Sequence, residues 1–140
     1  MAARSLAAVT VGEAIGPVTV PVSRETLVAY ADASGDQNPI HQDEEVARSV
    51  GLPDVIAHGM WTMGAAGTVV ADWAGDPGRV VEYGTRFTKP VVVPAGGAEI
   101  VVAGVVTAVD SDTGRVTVEL STTSEGQKVL GRCVAVVRLD

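Results

Sequence analysis

Two short segments hold the residue types that move protons. Asp36 and His41 stand on either side of Asn38-Pro39, directly after Gly35. Histidine is the side chain that ordinarily titrates near neutrality, and a carboxylate beside it makes a pair able to accept and return a proton. The only other histidine, His58, opens the sequence His58-Gly59-Met60. A glycine in the first turn of a helix lets a ligand oxygen approach a free backbone N–H, where the helix dipole favours developing negative charge. Gly59 reads equally well as a tight turn into that helix. His58, at a helix entry, reads as a hydrogen-bonding support for the turn rather than a proton carrier. Asp43-Glu44-Glu45 resembles a carboxylate cluster, but acidic residues in a first helical turn are favoured there and solvated.

Pro39 decides how the pair is presented. It bars a continuous helix and pushes Asn38 toward extended backbone, so Asp36 and His41 face each other across a turn. Upstream, Ser23 caps a helix that carries Leu27, Tyr30, Ala31 and Ser34 at helical spacing and ends at Gly35. Downstream, Asp43 caps a short helix through Val46, Ala47 and Val50, closed by Gly51 and Pro53. Ahead of both, one short strand is expected at Val18–Val22.

Val55–Ala71 has no charged side chain unless His58 is protonated, which predicts a helix over Gly59–Trp73 that is apolar nearly all round and therefore buried. Gly64 and Gly67 inside it each cost ~1 kcal/mol relative to alanine, so close packing against a neighbour is expected. The run is shorter than the ~20 residues a membrane span needs and is flanked by Asp54 and Asp72. The remainder reads as strands: Arg79–Phe87, Glu99–Val109, Arg115–Ser121 and Lys128–Leu139, with a hairpin loop at Asp110–Gly114 and a turn at Glu125-Gly126. Helices followed by long antiparallel strands imply an α+β fold, an antiparallel sheet with one apolar helix laid on its face.

At 140 residues, 46% apolar and 19% charged, the chain has the size and composition of one globular domain spanning 1–140. A net charge of -7 argues against nucleic acid and against an anionic membrane surface. No apolar run of signal-peptide length follows Met1, and the lone Cys133 cannot form an internal disulfide, so a cytoplasmic setting is expected. Cys133 lies in an apolar run and reads as an inert buried thiol. The two histidines and one cysteine do not fall at metal-ligand spacing, and there is no phosphate-binding glycine loop and no Gly-x-Ser-x-Gly, so neither metal nor cofactor is expected.

Tyr30–Ala47, read as Tyr-x-x-x-Ser-Gly-Asp-x-Asn-Pro-Ile-His-x-Asp-x-x-x-Ala, resembles the hydratase-2 motif of the MaoC-like (R)-specific enoyl hydratases and dehydratases. Ile56-Ala-His-Gly-Met60, Tyr83-Gly-Thr-Arg-Phe87 and Pro90–Pro94 are similar to that family too. Within it, length and the turn Ala74-Gly-Asp-Pro77 are most similar to the catalytic subunit of the (3R)-hydroxyacyl-ACP dehydratases of actinobacterial fatty acid elongation. The resemblance implies a hot-dog fold, with the antiparallel sheet wrapped around the central apolar helix. It implies reversible dehydration of (3R)-hydroxyacyl thioesters of CoA or ACP to trans-2-enoyl thioesters. Asp36 and His41 match the family's catalytic pair, Gly59 the glycine whose N–H holds the thioester oxygen, and Asn38 a supporting asparagine that fixes the loop. Pairing is implied as well, as a homodimer or with a second, noncatalytic hot-dog subunit. One alternative keeps the fold but changes the chemistry, a hot-dog acyl-thioesterase; a second, of another class, is a noncatalytic scaffold or acyl-binding subunit of a heterodimer, whose expected mark would be loss of Asp36 or His41. An acidic acyl-ACP meeting an acidic protein calls for a local basic mouth, for which Arg86 and Lys89 are the candidates.

Overall fold

The computed structural model describes residues 2–140. Strand β1 (Ala14–Val22) is followed by helices α1 (Arg24–Ser34), α2 (Glu44–Ser49) and α3 (Gly59–Ala74). Then come β2 (Val80–Phe87), β3 (Ala98–Asp110), β4 (Arg115–Ser124), the two-residue β5 (Gln127–Lys128) and β6 (Leu130–Arg138). The strands form one antiparallel sheet in the order β1-β3-β4-β6-β2, with β5 paired to the end of β4. Helix α3 lies along the inner face. This is the α+β, hot-dog arrangement that the sequence leads one to expect.

Alternation builds the core. Ile100, Val102 and Val106 on β3, Val116 and Val118 on β4, and Cys133, Ala135 and Val137 on β6 are all buried. They meet Ala66, Val69 and Val70 of α3. Every second residue of a strand faces the same way, so three neighbouring strands present a continuous apolar surface to the helix.

The local signals at the helix ends act as read. Ser23 Oγ accepts from the Thr26 N–H and the Thr26 hydroxyl accepts from the Ser23 N–H, a reciprocal cap for α1. Gly35 ends that helix at φ 81, a left-handed conformation open to glycine. Asp43 Oδ1 caps α2 by accepting from the N–H groups of Glu45 and Val46.

The structure corrects three expectations. β1 is not confined to Val18–Val22 but starts at Ala14, with a register shift across Gly16-Pro17. β1 is an edge strand, where a bulge and a missing N–H are tolerated. The single expected strand Lys128–Leu139 is split at Val129, and Arg132, at φ 45, lies where the β2–β6 register slips between Gly84 and Arg86. The bulge adds twist and lets the sheet curve around α3.

Finally, α3 is not buried all round. Gly59, Met60, Gly64, Thr68 and Asp72 are exposed, because the sheet of this one chain covers only the opposite side. Gly67 packs closely, since a Cβ there would stand 2.9 Å from the Tyr83 ring, whereas one on Gly64 would meet nothing within 4 Å among the described residues. Among the described residues, no helix is long and apolar enough to cross a membrane.

Candidate active site

The segment between α1 and α2 is held by short-range hydrogen bonds that its own sequence supplies. Asp36 N–H donates to Ser34 Oγ (3.1 Å), and Asp36 Oδ1 accepts from the Asn38 N–H (3.1 Å). Asn38 Oδ1 in turn accepts from the Ile40 N–H (3.2 Å) and caps the helical turn Pro39–His41. That turn directs His41 inward, where it is only 7% exposed. His41 Nδ1 lies 2.7 Å from the Ile56 carbonyl oxygen. A carbonyl only accepts, so Nδ1 carries the hydrogen and, in the neutral ring, Nε2 is left bare. Burial is the main cause that holds the His41 pKa below 6.5, against the opposing pulls of the Ile56 carbonyl and the Asp36 charge.

The partner segment is stitched in from both sides. Ile56 N–H donates to the Ile40 carbonyl (3.2 Å), Ala57 N–H to that of Val91 (2.9 Å), and Val93 N–H to that of Val55 (2.9 Å). Arg24 clamps the same region. Its guanidinium reaches the Val93 carbonyl (3.2 Å), Asp54 Oδ1 (2.8 Å) and Glu44 Oε1 (2.5 Å), joining the start of α1 to α2 and to the turn before Val55. Helix α3 then begins at Gly59, whose N–H belongs to the first turn and has no acceptor within the helix.

His58, 1% exposed, completes the polar end. Its ring stacks on His41, with centroids 3.7 Å apart and planes at 22°, and the Tyr30 ring lies 4.8 Å from it, tilted by 58°. One ligand atom each from Asp36, His41 and His58 lies within 4.8 Å of the others. From this end a cleft of about 560 Å³ runs along apolar walls that include Ile56, Met60, Phe87, Val91, Val129 and Leu130. The arrangement offers a bare imidazole nitrogen, a carboxylate and a helix-start N–H at one end of an apolar channel. Such a set can exchange a proton beside a carbonyl while stabilising negative charge on its oxygen.

The sequence profile of the MaoC like domain matches residues 7–126. The chain belongs to the MaoC-like domain family. It is similar to 3-hydroxyacyl-thioester dehydratase X of Mycobacterium tuberculosis, 43% identical over 75 residues that cover 54% of this chain and 26% of that protein. It is similar also to a probable enoyl-CoA hydratase 2 of Dictyostelium discoideum, 39% identical over 71 residues, 49% of this chain and 24% of that one. A solved MaoC-like dehydratase structure superposes with a TM-score of 0.96 at 40% identity, over 99% of this chain and 43% of its own. The chain thus spans about a quarter of the first two relatives and less than half of the third.

Within this MaoC-like domain the structure brings Asp36, His41 and Gly59 onto one cleft, with Asn38 behind them in the loop. Lys89 also lines the cleft, its Nζ 3.2 Å from Gln127 Oε1, whereas Arg86 is exposed on β2 and does not line it. Cys133 is buried beneath the sheet, its sulfur 3.7 Å from the Tyr83 hydroxyl and away from the cleft.

Folding gathers both histidines and Asp36 together, a proximity that their sequence spacing does not show. In-plane lone pairs of two nearly parallel stacked rings run side by side and do not converge on one ion. The stacking of His58 on His41 is the feature that sequence reading missed. Its only signal was that the second histidine directly precedes Gly59.

Proposed function

We propose that this MaoC-like domain reversibly dehydrates (3R)-hydroxyacyl thioesters to trans-2-enoyl thioesters. One observation carries the reading: the His41–Asp36 pair and the Gly59 N–H meet at the polar end of a single apolar cleft. The relatives named for 3-hydroxyacyl-thioester dehydration and enoyl-CoA hydration support it.

In the dehydration direction the C–H bond at C2 breaks and its electron pair moves toward the thioester carbonyl. The enolate-like oxygen is stabilised by the Gly59 N–H and the start of the α3 dipole. The C3–O bond then breaks, and the hydroxyl leaves as water with one proton from the pair. One proton enters the pair and one departs, so Asp36 and His41 finish as they began and act as one unit. The apolar walls hold the acyl chain, and no group on the chain need be oxidised or reduced.

The test uses the purified chain and a short trans-2-enoyl-CoA. Asp36→Asn and His41→Ala should each lower the hydration rate by about 10²–10⁴-fold, the contribution ordinarily made by a positioned acid or base. Near-wild-type rates in both variants would refute the assignment. Release of free thiol from acyl-CoA without hydration would instead identify a thioesterase.

Two finer points belong to the same proposal. The donor is acyl-ACP or acyl-CoA, with Lys89 at the cleft mouth and Arg86 beyond it as the contacts for ACP. Charge reversal at both should raise the Michaelis constant for acyl-ACP, and an unchanged constant would remove them from that role. The functional unit is a pair of hot-dog domains, in keeping with the uncovered Met60-Gly64-Thr68 stripe of α3 and the unpaired edge of β2. A native mass equal to one chain, with full activity, would refute the pairing.

A further inference from the structure

His58 occupies the N-cap of α3, where serine, aspartate or asparagine ordinarily turns its side chain back onto the first-turn N–H groups. It makes no such bond. Its ring reaches instead to the loop that precedes α2, where Nε2 lies 3.0 Å from the carbonyl oxygen of Asp36, 22 residues away. A carbonyl accepts only, so Nε2 carries the hydrogen and the neutral ring leaves Nδ1 bare. That Nδ1 is buried and has no hydrogen-bond partner among the described residues.

The two histidines therefore sit face to face in opposite tautomers, each donating to a carbonyl of a different segment: His41 Nδ1–H to Ile56, and His58 Nε2–H to Asp36. The two bonds divide the work of holding the loop. Ile56 secures its His41 end. The Asp36 end is exposed, and among the described residues its other bonds reach only two positions along the chain, to Ser34 at the end of α1 and to Asn38.

We infer that His58 is a positioning residue whose Nε2–H bond to the Asp36 carbonyl and whose stacked ring hold the Asp36–His41 segment in register with Gly59. It rests on the hydratase reading above and extends it: one residue adjoining the oxyanion donor by sequence also grips the acid–base pair through space. The two halves of the site thus keep one spacing. The choice of histidine follows, because the position requires both a donor that reaches Asp36 and a flat face for His41. Glutamine supplies the first alone and phenylalanine the second alone.

The experiment has two arms. Long-range ¹H–¹⁵N spectra of the unaltered chain should show His58 protonated on Nε2 and His41 on Nδ1. In the second arm, His58→Phe, still folded by its melting temperature, should lose about 10²-fold in kcat for enoyl-CoA hydration with KM little changed, the size expected of a misplaced catalytic group. His58→Gln, which keeps the donor but not the ring, should recover part of that loss. The inference is overturned by the opposite His58 tautomer, by a folded Phe variant with wild-type kcat, or by Gln and Phe variants that are folded and equally impaired. Should the Phe variant not fold, the tautomer decides. A chain with no hydratase activity at all would refute the reaction assignment, and the tautomer would still decide the contact.

Discussion

Replacing Gly59 by alanine adds one methyl group where the proposed thioester oxygen must approach. The new Cβ would stand 3.0, 3.1 and 3.3 Å from three atoms of the Phe87 ring. Phe87 is 56% exposed, so the ring can move aside by the few tenths of an ångström required, and the melting temperature should change little. The methyl nevertheless remains beside the N–H. If that donor holds the developing enolate oxygen, its loss costs about 2.7–4 kcal/mol of transition-state stabilisation, or 10²–10³ in kcat. Steady-state hydration of a short enoyl-CoA reads this directly. Adding Phe87→Ala separates the two explanations, because deleting the ring relieves crowding but leaves the N–H obstructed. A folded Gly59→Ala variant with near-wild-type kcat, or one whose activity is restored by Phe87→Ala, would refute the oxyanion role.

Other outcomes follow from the same geometry. Burial depresses the His41 pKa below 6.5, so the folded state binds this proton less readily than the unfolded chain. Its contribution to stability is complete above pH 6.5 and is lost as the pH falls through the lower folded value; urea midpoints against pH should show that slope in the wild type and not in His41→Phe. Enoyl hydration should for the same reason stay flat through neutrality and decline only on the acid side, and a decline starting above pH 7 would contradict the buried neutral base. Gly67→Ala should destabilise: Tyr83 is fixed by its hydroxyl bond to the Met63 carbonyl (2.5 Å), and about 1–3 kcal/mol of overpacking outweighs the ~1 kcal/mol gained in helix propensity. Gly64→Ala reads the uncovered helix face by its sign. Weakened association would agree with a second subunit lying there, whereas a higher melting temperature at unchanged native mass would place that face in solvent.

What could be read in the sequence was what neighbouring residues decide among themselves. Ser23, Gly35 and Asp43 fix helix ends through bonds spanning two to four residues, and Asn38-Pro39 fixes the turn that aims His41. Those are choices between a few local backbone states. Asp36 and His41 could be named because the motif that carries them is long and locally constrained, and Gly59 because it follows His58 at the start of an apolar helix. What tertiary structure adds could not be read. Nothing near His58 reveals that its ring lies on His41, nor that the Ile56 carbonyl selects the His41 tautomer, because the contacts close over 15 to 22 residues. The exposed side of α3 was missed for a related reason. An apolar, glycine-bearing helix predicts burial, and the sequence does not say whether its own sheet supplies all the cover.

The position of β6 bears on how the molecule is made. It lies between β4 and β2, and the β2–β6 ladder runs from Val80↔Val137 to Phe87↔Leu130. In a growing chain β2 therefore has no partner until β3, β4 and β5 have been synthesised and β6 has followed them. Val129 and Leu130, which close one wall of the cleft, arrive at the same moment. Until then Val81 and Phe87 remain on an unpaired strand, a surface open to wrong partners. Ribosome-bound chains stalled before β6 should accordingly be protease-sensitive throughout β2, and acquire protection there only once Arg138 has cleared the exit tunnel.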